Sequence, residues 1–96
     1  MSATAILGHK YTYIATNATT VVKSGSGVLH GITFNKKGAS SNVATVYDNT
    51  AGSGTVIALI DTTDKIGTLV YDIAFTTGLT IVTATGTAAD MTVASR

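Results

Sequence analysis

The sequence predicts an all-β domain: an eight-stranded antiparallel β-sandwich, of jelly-roll or related Greek-key type, with an immunoglobulin-like sandwich as the second choice. Three observations predict it. Thr, Val, Ala and Gly dominate a 96-residue chain that contains no Glu, Gln or Pro, so the strand formers Thr and Val are abundant while the helix formers Glu, Gln and Leu are missing or few. Alternating or continuous apolar segments recur about every 10 residues, each separated by a turn signal. The run Thr55-Val56-Ile57-Ala58-Leu59-Ile60-Asp61 is continuously apolar and rich in β-branched residues. Such a run reads as a strand covered on both faces, with Val56, Ala58 and Ile60 on one and Ile57 and Leu59 on the other. A small sandwich covers only one of these faces. The other calls for a further layer, most simply a second subunit.

The elements follow in order. Residues 1–10 read as a flexible N-terminal arm of small residues broken by Gly8, with Ile6 and Leu7 as its anchors if it docks on a neighbour; residues 11–96 form one domain. Tyr11–Thr16 is a first strand, with Tyr11, Tyr13 and Ala15 opposite Ile14. Asn17-Ala18 turns the chain into the short strand Thr19–Lys23, and Ser24-Gly25-Ser26-Gly27 is the next connection. Gly27–Asn35 alternates, with Val28, His30, Ile32 and Phe34 on one face and Leu29, Gly31, Thr33 and Asn35 on the other. After Lys36-Lys37-Gly38 comes the strand Asn42–Asp48, then a turn at Asp48-Asn49-Thr50-Ala51-Gly52 and the strand Thr55–Asp61. Beyond the polar turn Thr62–Lys65, the longest alternation places Leu69, Tyr71, Ile73 and Phe75 on a core face. Thr77-Gly78 leads into Leu79–Ala84, and Met91–Ser95 closes the chain.

Composition bounds the function. Charged residues are 11% of the chain, against roughly 25% in ordinary soluble domains, and the net charge is +1. Nothing in this balance attracts nucleic acid or an anionic membrane. A weakly charged, Thr-coated surface does little to hold copies apart, which favours burial of part of it in an assembly. The segment Val56–Ile60 has high β propensity and low charge, and is an aggregation hazard unless hidden. Cysteine is absent, so neither a disulfide framework nor a thiolate metal site exists. No run is long enough for a membrane-spanning helix, and Met1–Gly8 lacks the basic and apolar regions of an export signal.

Residues able to do chemistry are sparse. His30, on an apolar face, reads as a buried histidine with a satisfied hydrogen bond, or one at a subunit contact. With His9 as its only companion it makes a poor zinc set. Asp48, Asp61, Asp64 and Asp90 fall in or beside turns, where Asp serves the backbone; Asp72 lies within a strand. Asp61 and Asp64 match no EF-hand spacing. No Gly-x-Ser-x-Gly elbow and no phosphate loop occurs, and Lys36-Lys37 reads as a solvated loop tip. The four tyrosines read as core or edge residues. The expectation is a protein without catalytic residues, metal or cofactor.

The segments Val21-Val22-Lys23-Ser24-Gly25-Ser26-Gly27-Val28-Leu29-His30-Gly31-Ile32-Thr33, Val46-Tyr47-Asp48-Asn49-Thr50-Ala51, Gly54-Thr55-Val56-Ile57-Ala58, Leu69-Val70-Tyr71-Asp72-Ile73-Ala74-Phe75 and Thr77-Gly78-Leu79-Thr80-Ile81-Val82 carry a resemblance over residues 20–96. The chain resembles small structural proteins of tailed bacteriophages. The resemblance implies a β-sandwich virion component that decorates or cements the capsid, often as a trimer, made in the host cytoplasm and placed on the capsid surface. Its partners would be copies of itself and the major capsid protein or other virion proteins. The residues expected at subunit contacts are Ile57 and Leu59, with Ile6 and Leu7 of the arm. The alternatives are a carbohydrate-binding β-sandwich module, which exposed aromatic side chains on one sheet face would favour, and a tail or fibre component.

Overall fold

The structure of the protein is a computed structural model and describes residues 8–64 and 66–96. Among these residues the chain forms eight strands: β1 Lys10–Ile14, β2 Thr19–Ser24, β3 Gly27–Lys36, β4 Val43–Asp48, β5 Thr55–Asp61, β6 Gly67–Phe75, β7 Gly78–Ala84 and β8 Asp90–Ser95, with one 3-10 turn at Thr62–Asp64 between β5 and β6. They make two four-stranded antiparallel sheets, β1-β8-β3-β6 and β2-β7-β4-β5. Strands pair 1 with 8, 2 with 7, 3 with 6 and 4 with 5, as in one long hairpin wound on itself. The two sheets make the eight-stranded antiparallel β-sandwich expected from the strand count. The strand bounds agree with the sequence reading to within a residue or two, and β5 agrees at both ends.

The inner faces of the two sheets meet in one core. Leu29, Ile32 and Phe34 from β3, Ala44 and Val46 from β4, Leu79 and Ile81 from β7, and Met91 and Val93 from β8 are buried, with Ile14, Ile60, Phe75 and Ala89 closing the margins. Two of the central strands, β4 and β8, keep the period-two alternation that a half-buried antiparallel sheet requires, while β7 is buried from Gly78 to Ile81. In β8 the buried residues are Met91, Val93 and Ser95, every second one.

One end of the sandwich is tied by a buried amide. Asn42 is fully buried. Its Nδ2 donates to Asn17 Oδ1 at 2.7 Å, to the Thr85 carbonyl at 2.8 Å and to the Ala84 carbonyl at 3.2 Å. Its Oδ1 accepts from Thr62 Oγ1 at 2.6 Å and from the Ala89 amide at 3.3 Å. One side chain thereby joins the β1–β2, β5–β6 and β7–β8 connections and leaves no buried side-chain polar atom among the described residues without a partner. At the other end Asp48 accepts the amides of Thr76, Thr77 and Gly78, which holds the β6–β7 turn.

Three sequence expectations are corrected. β5 is the outermost strand of its sheet, not a strand covered on both faces. Ile60 is buried, but Val56 is 50% and Leu59 72% exposed. Ile57 and Leu59 also part company. The pairing with β4 shifts between Val46 and Tyr47, which inserts Ile57 as an extra residue and turns it onto the core margin, while Leu59 stays outside. In β3 the expected inner face Val28–His30–Ile32–Phe34 holds only for Ile32 and Phe34. Both neighbours of β3 shift register between Leu29 and Gly31, so Leu29 is the buried residue and His30 points out. In β6, also an edge strand, only Phe75 of the expected core face is buried; Leu69 and Tyr71 are half-buried and Ile73 is 37% exposed.

Candidate functional site

The residues with chemistry gather on the outer face of the first sheet. Register places two straight rows across all four strands. One row is Tyr13–Thr92–Thr33–Thr68 and the next is Tyr11–Ala94–Gly31–Val70. Ile14 faces the core, so the alternation of β1 sends Tyr11 and Tyr13 outward. Tyr11 is 78% and Tyr13 58% exposed.

One end of the face carries a polar cluster. The Tyr13 hydroxyl donates to Asp90 Oδ2. Asn35 Nδ2 donates to Asp90 Oδ1 at 2.9 Å and to Thr92 Oγ1 at 3.2 Å. Thr33 and Thr68 share a hydroxyl–hydroxyl bond of 2.8 Å. The Tyr13 hydrogen bond, then that of Asn35, holds the Asp90 carboxyl below its ordinary range, and the same bond to Asp90 raises the Tyr13 phenol.

The other end carries the histidines. His30 Nδ1 lies 2.5 Å from Asp72 Oδ1, and the His9 ring stacks on the His30 ring with centroids 4.2 Å apart and planes 11° from parallel. The side chains of His30 and Asp72 are 41% and 61% exposed, so the expectation of a buried histidine is overturned. The register shift that turns Leu29 inward turns His30 out. Asp72 sits at the matching irregularity in β6 with φ of 49°, a left-handed conformation that Asp tolerates better than most residues. Partial burial, then the charges of His30 and Arg96, hold His9 below the ordinary histidine value. No group of three or more His, Cys, Asp or Glu suited to a metal ion occurs among the described residues.

The outer face of the second sheet differs in kind. Its rows are Val56–Tyr47–Thr80–Val21 and Leu59–Thr45–Val82–Thr19, with Val43 beside Ala84 and Asp61. Leu59, Val56 and Val21 are half or more exposed. A depression of about 480 Å³ runs along it between Ser41, Val43, Leu59, Asp61 and Thr63. A second hollow of about 310 Å³ opens between β1 and β2 and is lined by Lys10, Tyr11, Thr12, Val22, Lys23, Ser95 and Arg96.

The expected contact residues are therefore scattered. Leu59 stands out on the second sheet's outer face, Ile57 packs on the core, and Ile6 and Leu7 lie outside the described residues. Of the segment expected as an arm, Lys10 opens β1 and the His9 ring stacks on His30. Asp61 binds the amide and hydroxyl of Thr63, a turn role as expected. The sequence reading missed the Tyr13–Asp90–Asn35 cluster, whose members are 77 and 55 positions apart along the chain. The outward parity of Tyr11 and Tyr13 was the one available signal.

No known protein family, curated protein or solved structure matches the chain.

Proposed function

We propose that the protein is a non-enzymatic structural subunit that works by contact. Copies of the chain join through the outer face of the second sheet, and the assembled unit, a trimer, decorates and cements a tailed-phage capsid. The observation that supports this most is the apolar outer face itself: Leu59, Val56 and Val21 exposed, with Val43, Tyr47 and Val82 half-buried between them. A sheet that faces only water ordinarily alternates to polar residues on that side, and β5 is an edge whose free backbone groups invite pairing. Covering this face would remove the first liability, and pairing along β5 the second. The virion setting rests on the sequence resemblance alone. A subunit that binds only the assembled shell stabilises it by mass action.

Light scattering across a wide concentration range tests the self-association. The expected result is a trimer mass, with Leu59→Lys shifting the dissociation constant by at least about tenfold while circular dichroism stays unchanged. A monomer at every concentration would sink the reading of this face. Co-sedimentation with phage heads that lack decoration tests the setting, and a subunit left wholly in the supernatant would count against it.

A further inference from the structure

The other sheet's outer face calls for a different partner, and we propose that it is a binding site for a neutral saccharide chain. Two tyrosines on adjacent outward positions of an edge strand stand 78% and 58% exposed, and no element of the described chain covers them. Beside Tyr11 the floor drops to Ala94 and Gly31 before rising again at Val70, which is 65% exposed. Gly31 is itself buried, and a Cβ there would sit 2.7 Å from the Leu69 carbonyl oxygen, so β3 and β6 approach closely at this point. The row spans four strands, roughly 14 Å at ordinary strand spacing.

A pyranose ring presents polarised C–H groups on its faces and hydroxyls on its rim. The electron-rich face of a tyrosine ring attracts the first. The second need donors and acceptors held in place, and these lie one row away. Asp90, Asn35 and Thr92 are already bonded to one another, and Asp90 also to Tyr13, so the cluster keeps its geometry without a ligand. Asn35 makes both bonds through Nδ2, which leaves its Oδ1 as an acceptor, and the Thr33–Thr68 pair adds two hydroxyls.

Charge selects the class of ligand. The two rows carry no charged side chain. The carboxylates at the ends of the face are partnered, Asp90 by Tyr13 and Asn35 and Asp72 by His30. The cations near the face, Lys36 by Asp90 and Arg96 by His9 and Asp72, stand outside the two rows and each has a carboxylate nearby, so the rows do not favour a phosphate backbone or an acidic sugar. The large apolar side chains sit at the margins with threonines between them. This suits an amphipathic ring better than a protein interface, whose centre is apolar and continuous.

The test is a titration of the full chain, followed by amide NMR, with cellohexaose, xylohexaose, mannohexaose and maltohexaose, and with sialyllactose as the acidic comparator. At least one neutral oligosaccharide is expected to shift the amides of Tyr11, Thr33, Thr92 and Ala94 saturably, with a dissociation constant of about 0.1–1 mM. Tyr11→Ala should weaken it about tenfold and leave the fold intact, since the side chain is largely exposed. Val70→Arg, which raises the opposite wall, should do the same without touching a tyrosine. Leu59→Lys should bind as the native chain does, which separates this site from the assembly face. The proposal fails if no neutral saccharide shifts these amides at about 10 mM. It fails equally if only sialyllactose does, if the shifts fall on the Leu59 face, or if both site variants bind undiminished.

Discussion

Replacing Asn42 tests whether one buried amide holds three connections together. In Asn42→Ala the Ala89 amide, buried at the core margin, loses its acceptor. An orphaned buried donor costs about 1–3 kcal/mol. The Ala84 and Thr85 carbonyls and Asn17 lose a donor too, but those residues are exposed and water replaces it. Thr62 keeps a bond to the Asn42 backbone carbonyl at 3.1 Å, so its hydroxyl is not stranded. The cost is therefore about 1–3 kcal/mol, a sizeable share of the about 5–15 kcal/mol that a domain of this size possesses. Urea unfolding followed by circular dichroism reads it directly, and the melting temperature should fall by about 5–15 °C. Asn42→Asp sharpens the test. It keeps the acceptor for Ala89 and Thr62 but turns a carboxylate oxygen toward two carbonyls and the Asn17 Oδ1. It should be worse than alanine at neutral pH and recover in part on acidification. A loss below about 0.5 kcal/mol for Asn42→Ala, or an Asn42→Asp variant as stable as the native chain, would refute this account.

Acid should weaken the fold in a defined window. Asp48, held down first by the Thr77 and Thr76 amides, and Asp90, held down first by the Tyr13 hydroxyl, both lie below the ordinary value of 3.8 when folded. Their stabilisation is present above that value and lost as pH falls through the lower folded values; Asp48→Asn should flatten the acid limb of a stability–pH curve. Tyr13 is raised above 10.0 by the same Asp90 bond, so its contribution is lost as pH rises through the folded value, and Tyr13→Phe should remove that alkaline dependence. Gly31→Ala should cost about 1–3 kcal/mol by pressing a methyl group against the Leu69 carbonyl; unchanged unfolding would show that the β3–β6 ladder gives way freely there.

Much of the fold is legible along the chain because strand formation is local. Apolar alternation and turn residues mark all eight strands, and Thr55–Asp61 is bounded correctly by Gly54 before it and the Thr62–Asp64 turn after it. Faces are less legible, because a single extra residue reverses every side chain beyond it. The inserted positions lie at His30–Gly31 and at Ile57, and they decide that Leu29 is core, that His30 meets Asp72 on the surface and that Ile57 and Leu59 separate. Gly31 inside an alternating strand was the one local sign of this.

By itself, then, the sequence determined an all-β chain of eight strands, its turns, its low surface charge and its lack of thiols, since each depends on residues near one another or on composition. Only the tertiary structure decided which strands are edges and which outer face each side chain joins. Two apolar strands of seven residues differ in cover according to where pairing places them: β7 lies between neighbours and buries Leu79 and Ile81, while β5 lies at the rim and exposes Leu59. The assembly of Tyr13, Asp90 and Asn35 is likewise a product of antiparallel register, which brings residues distant along the chain to within a hydrogen bond.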